Sequence, residues 1–227
     1  MNTCDTAHVT FEHIVDGTDA SIAHLLRAVR KPVRTFSFPR TIIVGIGHRA
    51  RNGKESLAKA MASISPDVKI YSWADPVYSV ARIFFGMQQK DAPLLQKIGN
   101  AFRADNDLVW INETLARIEK DAPLIAVIPD TRYVNEANLC DVTIRVRRMK
   151  ADGTQFIADD RDPQHPSECE LDDYPWMLRV DVPDDPATFD DEMANYADAI
   201  LESVASVFEQ CVSERTSDAQ YDTDGAA

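Results

Sequence analysis

The chain has 227 residues, 44% apolar and 27% charged, which suits one α/β domain with a real core and is short for two. No run of about 18 apolar residues occurs, so no transmembrane helix is expected. The opening MNTCDTAHVTFEH lacks a basic start and an apolar core segment, which argues against secretion. Cys4, Cys140, Cys169 and Cys211 are scattered without ligand spacing and fit reduced thiols in a cytoplasmic protein better than disulfides or zinc.

The net charge of −13 is unevenly placed. Residues 41–150 carry 16 basic against 12 acidic residues, whereas residues 151–227 carry 3 against 21. A mildly basic body suits anionic ligands, and the acidic C-terminal third disfavours an extended DNA-binding surface.

In chain order, residues 1–40 read as an N-terminal extension with a helix at SIAHLLRAVRK (21–31) ended by Pro32. Residue 41 opens a strand–helix alternation. TIIVGIG is a buried strand, KESLAKAMASI (54–64) a helix, VKIYSWA (68–74) a strand, and Pro76 to Phe85 a helix. Helical spacing continues in APLLQKIGNAFR (92–103) and LVWINETLARIEK (108–120). PLIAVIP (123–129) and VTIRVRR (142–148) are the third and fourth strands. Residues 149–169, rich in Asp, Gly and Pro, form a long lid-like loop, and MLRVDVP (177–183) is a fifth strand. A long amphipathic helix follows at 187–211, then an acidic, disordered tail at 212–227. This pattern predicts an α/β fold: a mainly parallel five-stranded sheet with helices on both faces, its ligands beyond the carboxyl ends of the strands.

The chemistry concentrates at those ends. GIGHRARNGKES (45–56) joins a strand to a helix through Gly47, Gly53 and Lys54, the arrangement in which loop amides and a helix N-terminus converge on phosphate. Gly47 is placed at the tight turn, with Asn52, Gly53, Lys54, Glu55 and Ser56 as further nucleotide contacts. Five residues rather than four separate the glycines, and Glu55-Ser56 follows the lysine where a hydroxyl usually binds Mg²⁺. Asp75, in SWADP, either positions an acceptor, acts as general base, or caps the helix at Pro76, and local sequence favours the cap. Asp130 and Arg132, in IPDTRYVNEA, are candidates for Mg²⁺ and for phosphate respectively, or a cap and a solvated cation. Arg49 and Arg51 flank the loop. Arg145 and Arg147 share one strand face and Arg148 takes the other, while Arg161 and His165 lie in the lid-like loop. Trp73, Phe84, Phe85 and Trp110 read as core, with Trp73 at a strand end the one candidate to touch a substrate.

In this order, GHRARNGKES, SWADP, LLQKIGNAFR, IPDTRYVNEA, VTIRVRR and HPSE resemble the phage-type deoxynucleoside monophosphate kinases of the P-loop (thymidylate kinase-like) superfamily, over roughly residues 41–183. There the loop ends Gly-Lys-Asp-Thr, the second strand Ala-Asp-Pro, and the third runs into Asp-x-Arg-x-x-Asn-Glu. The resemblance implies a three-layer P-loop kinase fold over 41–211, with ATP and Mg²⁺ as cosubstrate and cofactor. Lys54 would contact the ATP phosphates, Asp75 would stand at the acceptor, Asp130 and Arg132 would serve the transfer centre, and Glu55-Ser56 would replace Asp-Thr around Mg²⁺. The same branch includes phage kinases that phosphorylate 5-hydroxymethyluracil within DNA, for which Arg49 and Arg51 would meet a strand. The first expected acceptor is a free deoxynucleoside monophosphate, in the cytoplasm of an infected bacterial host, without a membrane partner and with a homodimer left open. A nucleotide-binding protein without turnover is the reading from another class. A GTPase-like switch is weak, because no Asn-Lys-x-Asp signature occurs.

Overall fold

A computed structural model describes residues 40–159 and 162–221, with side chains through residue 206. The expected extension before residue 40, including the helix at 21–31, and Arg161 lie outside the described residues. The elements are β1 (Ile42–Gly47), α1 (Lys54–Ile64), β2 (Val68–Ile70), α2 (Asp75–Phe85), α3 (Ala92–Asp105), α4 (Val109–Asp121), β3 (Ile125–Thr131), α5 (Val134–Ala137), β4 (Val142–Met149), α6 (Pro166–Cys169), β5 (Leu178–Pro183) and α7 (Phe189–Tyr221).

All four strand pairings are parallel, in the order β2-β3-β1-β4-β5. Near-continuous apolar runs are what such a doubly covered sheet requires. Successive side chains feed opposite layers: Ile42, Val44 and Ile46 of β1 and Ile125 and Val127 of β3 pack with Leu57 and Met61 of α1 and Met193, Ala197 and Leu201 of α7. Ala126 and Ile128 point the other way, onto Ile111 and Ile118 of α4. The fold is therefore three-layered. The chain leaves β1 for the edge at β2, returns to β3, then crosses β1 to β4, so the direction of winding reverses around β1. Ligands of open α/β sheets bind in the crevice at such a point.

Three expectations change. First, β2 is only three residues long: the Tyr71 amide still donates to the Val127 carbonyl, but the Trp73 amide turns to the Asp130 carboxylate, and both rings fill the α4 face of the core. Second, α7 extends to Tyr221, past the expected helix end at residue 211, and no Pro or Gly interrupts 187–224. Third, Trp73 and Trp110 are core, but Phe84 and Phe85 are 76% and 60% exposed. The apolar spacing of α2 is helical, yet the last turn overhangs the helices that cover Val77 and Ala81. Among the described residues no helix is long and apolar enough to cross a membrane.

Candidate active site beyond the first strand

Gly47 ends β1 without a left-handed backbone, so it is not the tight turn that the motif suggested. A Cβ there would run into the Trp176 ring and approach the Thr131 carbonyl to 2.6 Å, so the residue is small because β3 and Trp176 crowd it. The turning is done by His48 (φ 99°), Arg51 (φ 58°) and Gly53 (φ 94°), which absorb the extra loop residue. Positive φ at a non-glycine residue is strained. His48 is held in it by burial, by a 2.5 Å contact of Nε2 with Asp172 Oδ1 and by edge-on packing against Trp176. Arg49 Nη2 donates to both oxygens of the same Asp172, and Arg145 donates to its backbone carbonyl. Asp172 thus fixes the outer half of the loop, and Arg49 and Arg145 are paired with it in this structure.

Burial, reinforced by the Arg145 guanidinium, lowers the His48 imidazole from 6.5 to about 4, against the opposing pull of Asp172. The ring is neutral in the fold and takes up a proton more readily in the unfolded chain. Its contribution is complete above the ordinary value and is lost as pH falls from about 6.5 toward 4. The midpoint of thermal unfolding should therefore fall more steeply across that window in the native protein than in His48→Asn, since Asn tolerates positive φ. Parallel slopes would contradict this.

Asn52 is fully buried, and it binds protein rather than nucleotide. Its Nδ2 donates to the carbonyls of Ala50 and Phe156, and its Oδ1 accepts from the Arg148 amide and from Gln155. It pins the loop to the end of β4 and to the turn bridged at Met149 and Gln155. That correction follows from reach: the side chain meets a segment about 100 residues away that sequence spacing does not reveal. Lys54, 6% exposed, donates from Nζ to the Arg49 carbonyl and so spans the loop from within. Burial, then the Arg132 charge, lowers its ammonium to about 7, opposed by Glu168, Asp130 and Glu55.

Asp130, at the end of β3, accepts from the Ser72 hydroxyl (2.6 Å) and from the amides of Trp73 (3.0 Å) and Ala74 (3.2 Å). Burial raises its carboxyl, and these bonds together with Arg132 draw it back. The start of α2 is therefore secured by Asp130, with Ser72 also accepting from the Ala74 amide, and not by Asp75. The helix has Ala74 at its N-cap without a side-chain bond, which sets aside the capping role that local sequence favoured for Asp75. Asp75 is exposed and faces a cleft of about 530 Å³, lined also by Glu55, Lys59, Tyr78, Lys90, Asp130, Arg132 and Ser167. Trp73, by contrast, is 3% exposed with Nε1 donating to Thr131, so it is not a substrate contact.

Arg132 leaves β3 toward the loop. Its Nη1 donates to Glu168 Oε1 (2.8 Å) and to the Ser167 carbonyl (3.2 Å). The buried Glu136 orders this corner by accepting from the amides of Arg132 and Tyr133. Arg148 pairs with Asp184 at 2.5 Å between the rings of Phe156 and Phe189, and Arg147 pairs with Asp181 on β5. Neither is free to cover a phosphoryl group as arranged here. Arg51 is largely exposed, 3.9 Å from Asp159.

Glu168, Lys59 and Lys90 are site residues that sequence spacing did not single out. HPSE marked the first only as part of a motif, and the lysines look like solvated charges until the cleft is seen. Among the described residues no three His, Cys, Asp or Glu side chains cluster as a metal cage. Glu55 and Asp130 both line the cleft, and Ser56 follows in the first turn of α1. One or two such groups suit Mg²⁺, which keeps its waters and takes further oxygens from phosphates.

No family model and no curated protein matches the chain. Among solved structures it is similar to a protein from Chloroflexus aurantiacus j-10-fl described as a "putative kinase". The identity is 15% and the TM-score 0.41, over 74% of this chain and 97% of that one. A likeness of that size carries no weight for the chemistry, which stands on the site's own residues.

Proposed function

We propose that the chain is an ATP- and Mg²⁺-dependent kinase acting on a deoxynucleotide-type acceptor, in first place a free deoxynucleoside monophosphate. One observation carries this reading. A loop whose Ala50 amide donates to a carboxylate adjoins, through Arg132 and Asp130, an open cleft that ends in the exposed Asp75. A site for a phosphoryl donor and a site for an acceptor thus share one wall.

Phosphoryl transfer asks the protein for positioning and charge stabilisation more than for covalent chemistry. The loop amides and Lys54 hold the β- and γ-phosphates. Glu55, Ser56 and Asp130 are the groups that would hold Mg²⁺, which neutralises phosphate charge when bound. Arg132 stabilises the charge that develops during transfer. Asp75 orients the acceptor, while Lys59 and Lys90 attract the acceptor's own phosphate, whose oxygen, already ionised near pH 7, is the attacking group. A cleft of about 530 Å³ is of the size that holds one small ligand. The acidic C-terminal third also favours a mononucleotide over a duplex.

Label transfer from γ-labelled ATP tests this, with deoxynucleoside monophosphates and 5-hydroxymethyluracil duplex DNA offered in parallel. Label in a soluble diphosphate is the expected result. Label retained in DNA would replace the acceptor reading, and bound ATP without transfer to either would leave a nucleotide-binding protein without turnover.

A further inference from the structure

The anion that the loop's Ala50 amide holds in this structure belongs to the protein itself. Glu168, only 5% exposed, accepts from the Ala50 amide at 2.8 Å through Oε2, while Oε1 accepts from Arg132 at 2.8 Å. It is also one of the anions whose charge acts on Lys54. The carboxylate therefore presents two oxygens to a loop amide, a guanidinium and a nearby ammonium, the donor set a phosphate group would meet. It reaches that place from the short α6, at the end of the lid-like loop and 118 residues from Ala50. Two anions do not share one such set of donors at close range, because their mutual repulsion is unscreened there.

We propose that Glu168 is an internal stand-in for a nucleotide phosphate, seated on the loop in the free protein and displaced when the nucleotide binds. Arg132 then passes from carboxylate to phosphate, and residues 162–169 are released from the loop while Asp172 keeps its hold on His48 and Arg49, so donor arrival is coupled to rearrangement of the segment that carries Glu168. This rests on the phosphate-loop reading above. The occupant sets a threshold for binding: the nucleotide must outcompete a tethered carboxylate held at high local concentration.

The test is equilibrium binding of ATP and of inorganic tripolyphosphate to the full chain, native and Glu168→Gln, with amide hydrogen exchange on the native protein. Removing the competing charge should tighten both ligands roughly tenfold or more, the worth of one charge-assisted hydrogen bond. In the native protein, ATP should protect residues 47–56 and speed exchange at 162–169. That second readout needs no variant, so it decides even if Glu168→Gln folds poorly. Unchanged or weaker binding by Glu168→Gln, or protection of both segments, would show that Glu168 braces Arg132 permanently and would overturn the proposal alone. No binding by either protein would overturn the phosphate-loop reading and this proposal with it.

Discussion

Lys54→Ala should lower the rate of phosphoryl transfer by about 10³-fold, the cost of removing one preorganised donor aimed at developing charge. The side chain has no other work on that scale. It is enclosed at 6% exposure, and its Nζ donates to a carbonyl of the same loop. Burial and Arg132 already act against its charge in the free protein, so its loss removes a disfavoured cation rather than a stabilising pair. Activity should therefore collapse while the unfolding midpoint moves by only a few degrees. Lys54→Arg should not restore it, because a planar, bulkier head does not fit the space of a buried point charge. Steady-state transfer and thermal unfolding of the same preparations decide the point. Equal loss of activity and stability would mean that the lysine is structural.

Gly47→Ala should destabilise the protein by about 3 kcal/mol, the upper end for overpacking, because one of the two obstructions is backbone that does not rotate away. For a chain of this size that is a fall of roughly 6–12 °C in unfolding midpoint. The added methyl would meet the Trp176 ring and lie 2.6 Å from the Thr131 carbonyl, which belongs to the strand paired with β1. Relief requires β1 and β3 to separate at the point where the loop begins. Gly86→Ala is the comparison: φ there is +65°, with nothing within 4 Å of the added carbon, so it should cost only about 1 kcal/mol. A Gly47→Ala protein as stable as the Gly86→Ala protein would contradict the packing argument.

The strand–loop–helix at residues 42–64 was legible because each of its signals is local: an apolar run, a Gly-Lys pair and helical spacing that starts at the lysine. The parallel sheet followed from strand–helix alternation, whereas the strand order β2-β3-β1-β4-β5 did not, because alternation says nothing about which strands pair. What stayed hidden depends on contacts across the chain. Asp130 takes its donors from residues 56–58 positions earlier, so its part in seating α2 has no local trace, and Asp-Pro at 75–76 therefore looked like its own cap. Trp73 sits at the strand end that faces the cleft, but its ring turns into the layer under α4. Periodicity gives a residue's face on its own element and not whether a neighbour covers it. That is why Phe84 and Phe85 read as core and stand exposed. Glu168 is the strongest example: an acidic residue in a Pro-rich loop reads as solvated until the fold carries it onto the Ala50 amide.

Calorimetric titration of Mg²⁺-ATP into the full chain at about pH 8, in two buffers of different ionisation enthalpy, tests the central claim most directly. Lys54, held near 7 in the free protein, should regain its proton when phosphates surround it. The account predicts one binding site, proton uptake that shows as a buffer-dependent heat, and loss of that dependence in Lys54→Ala. Binding of unchanged strength and unchanged buffer dependence in Lys54→Ala, or no binding at all, would contradict the assignment of the loop after β1 as the phosphate site.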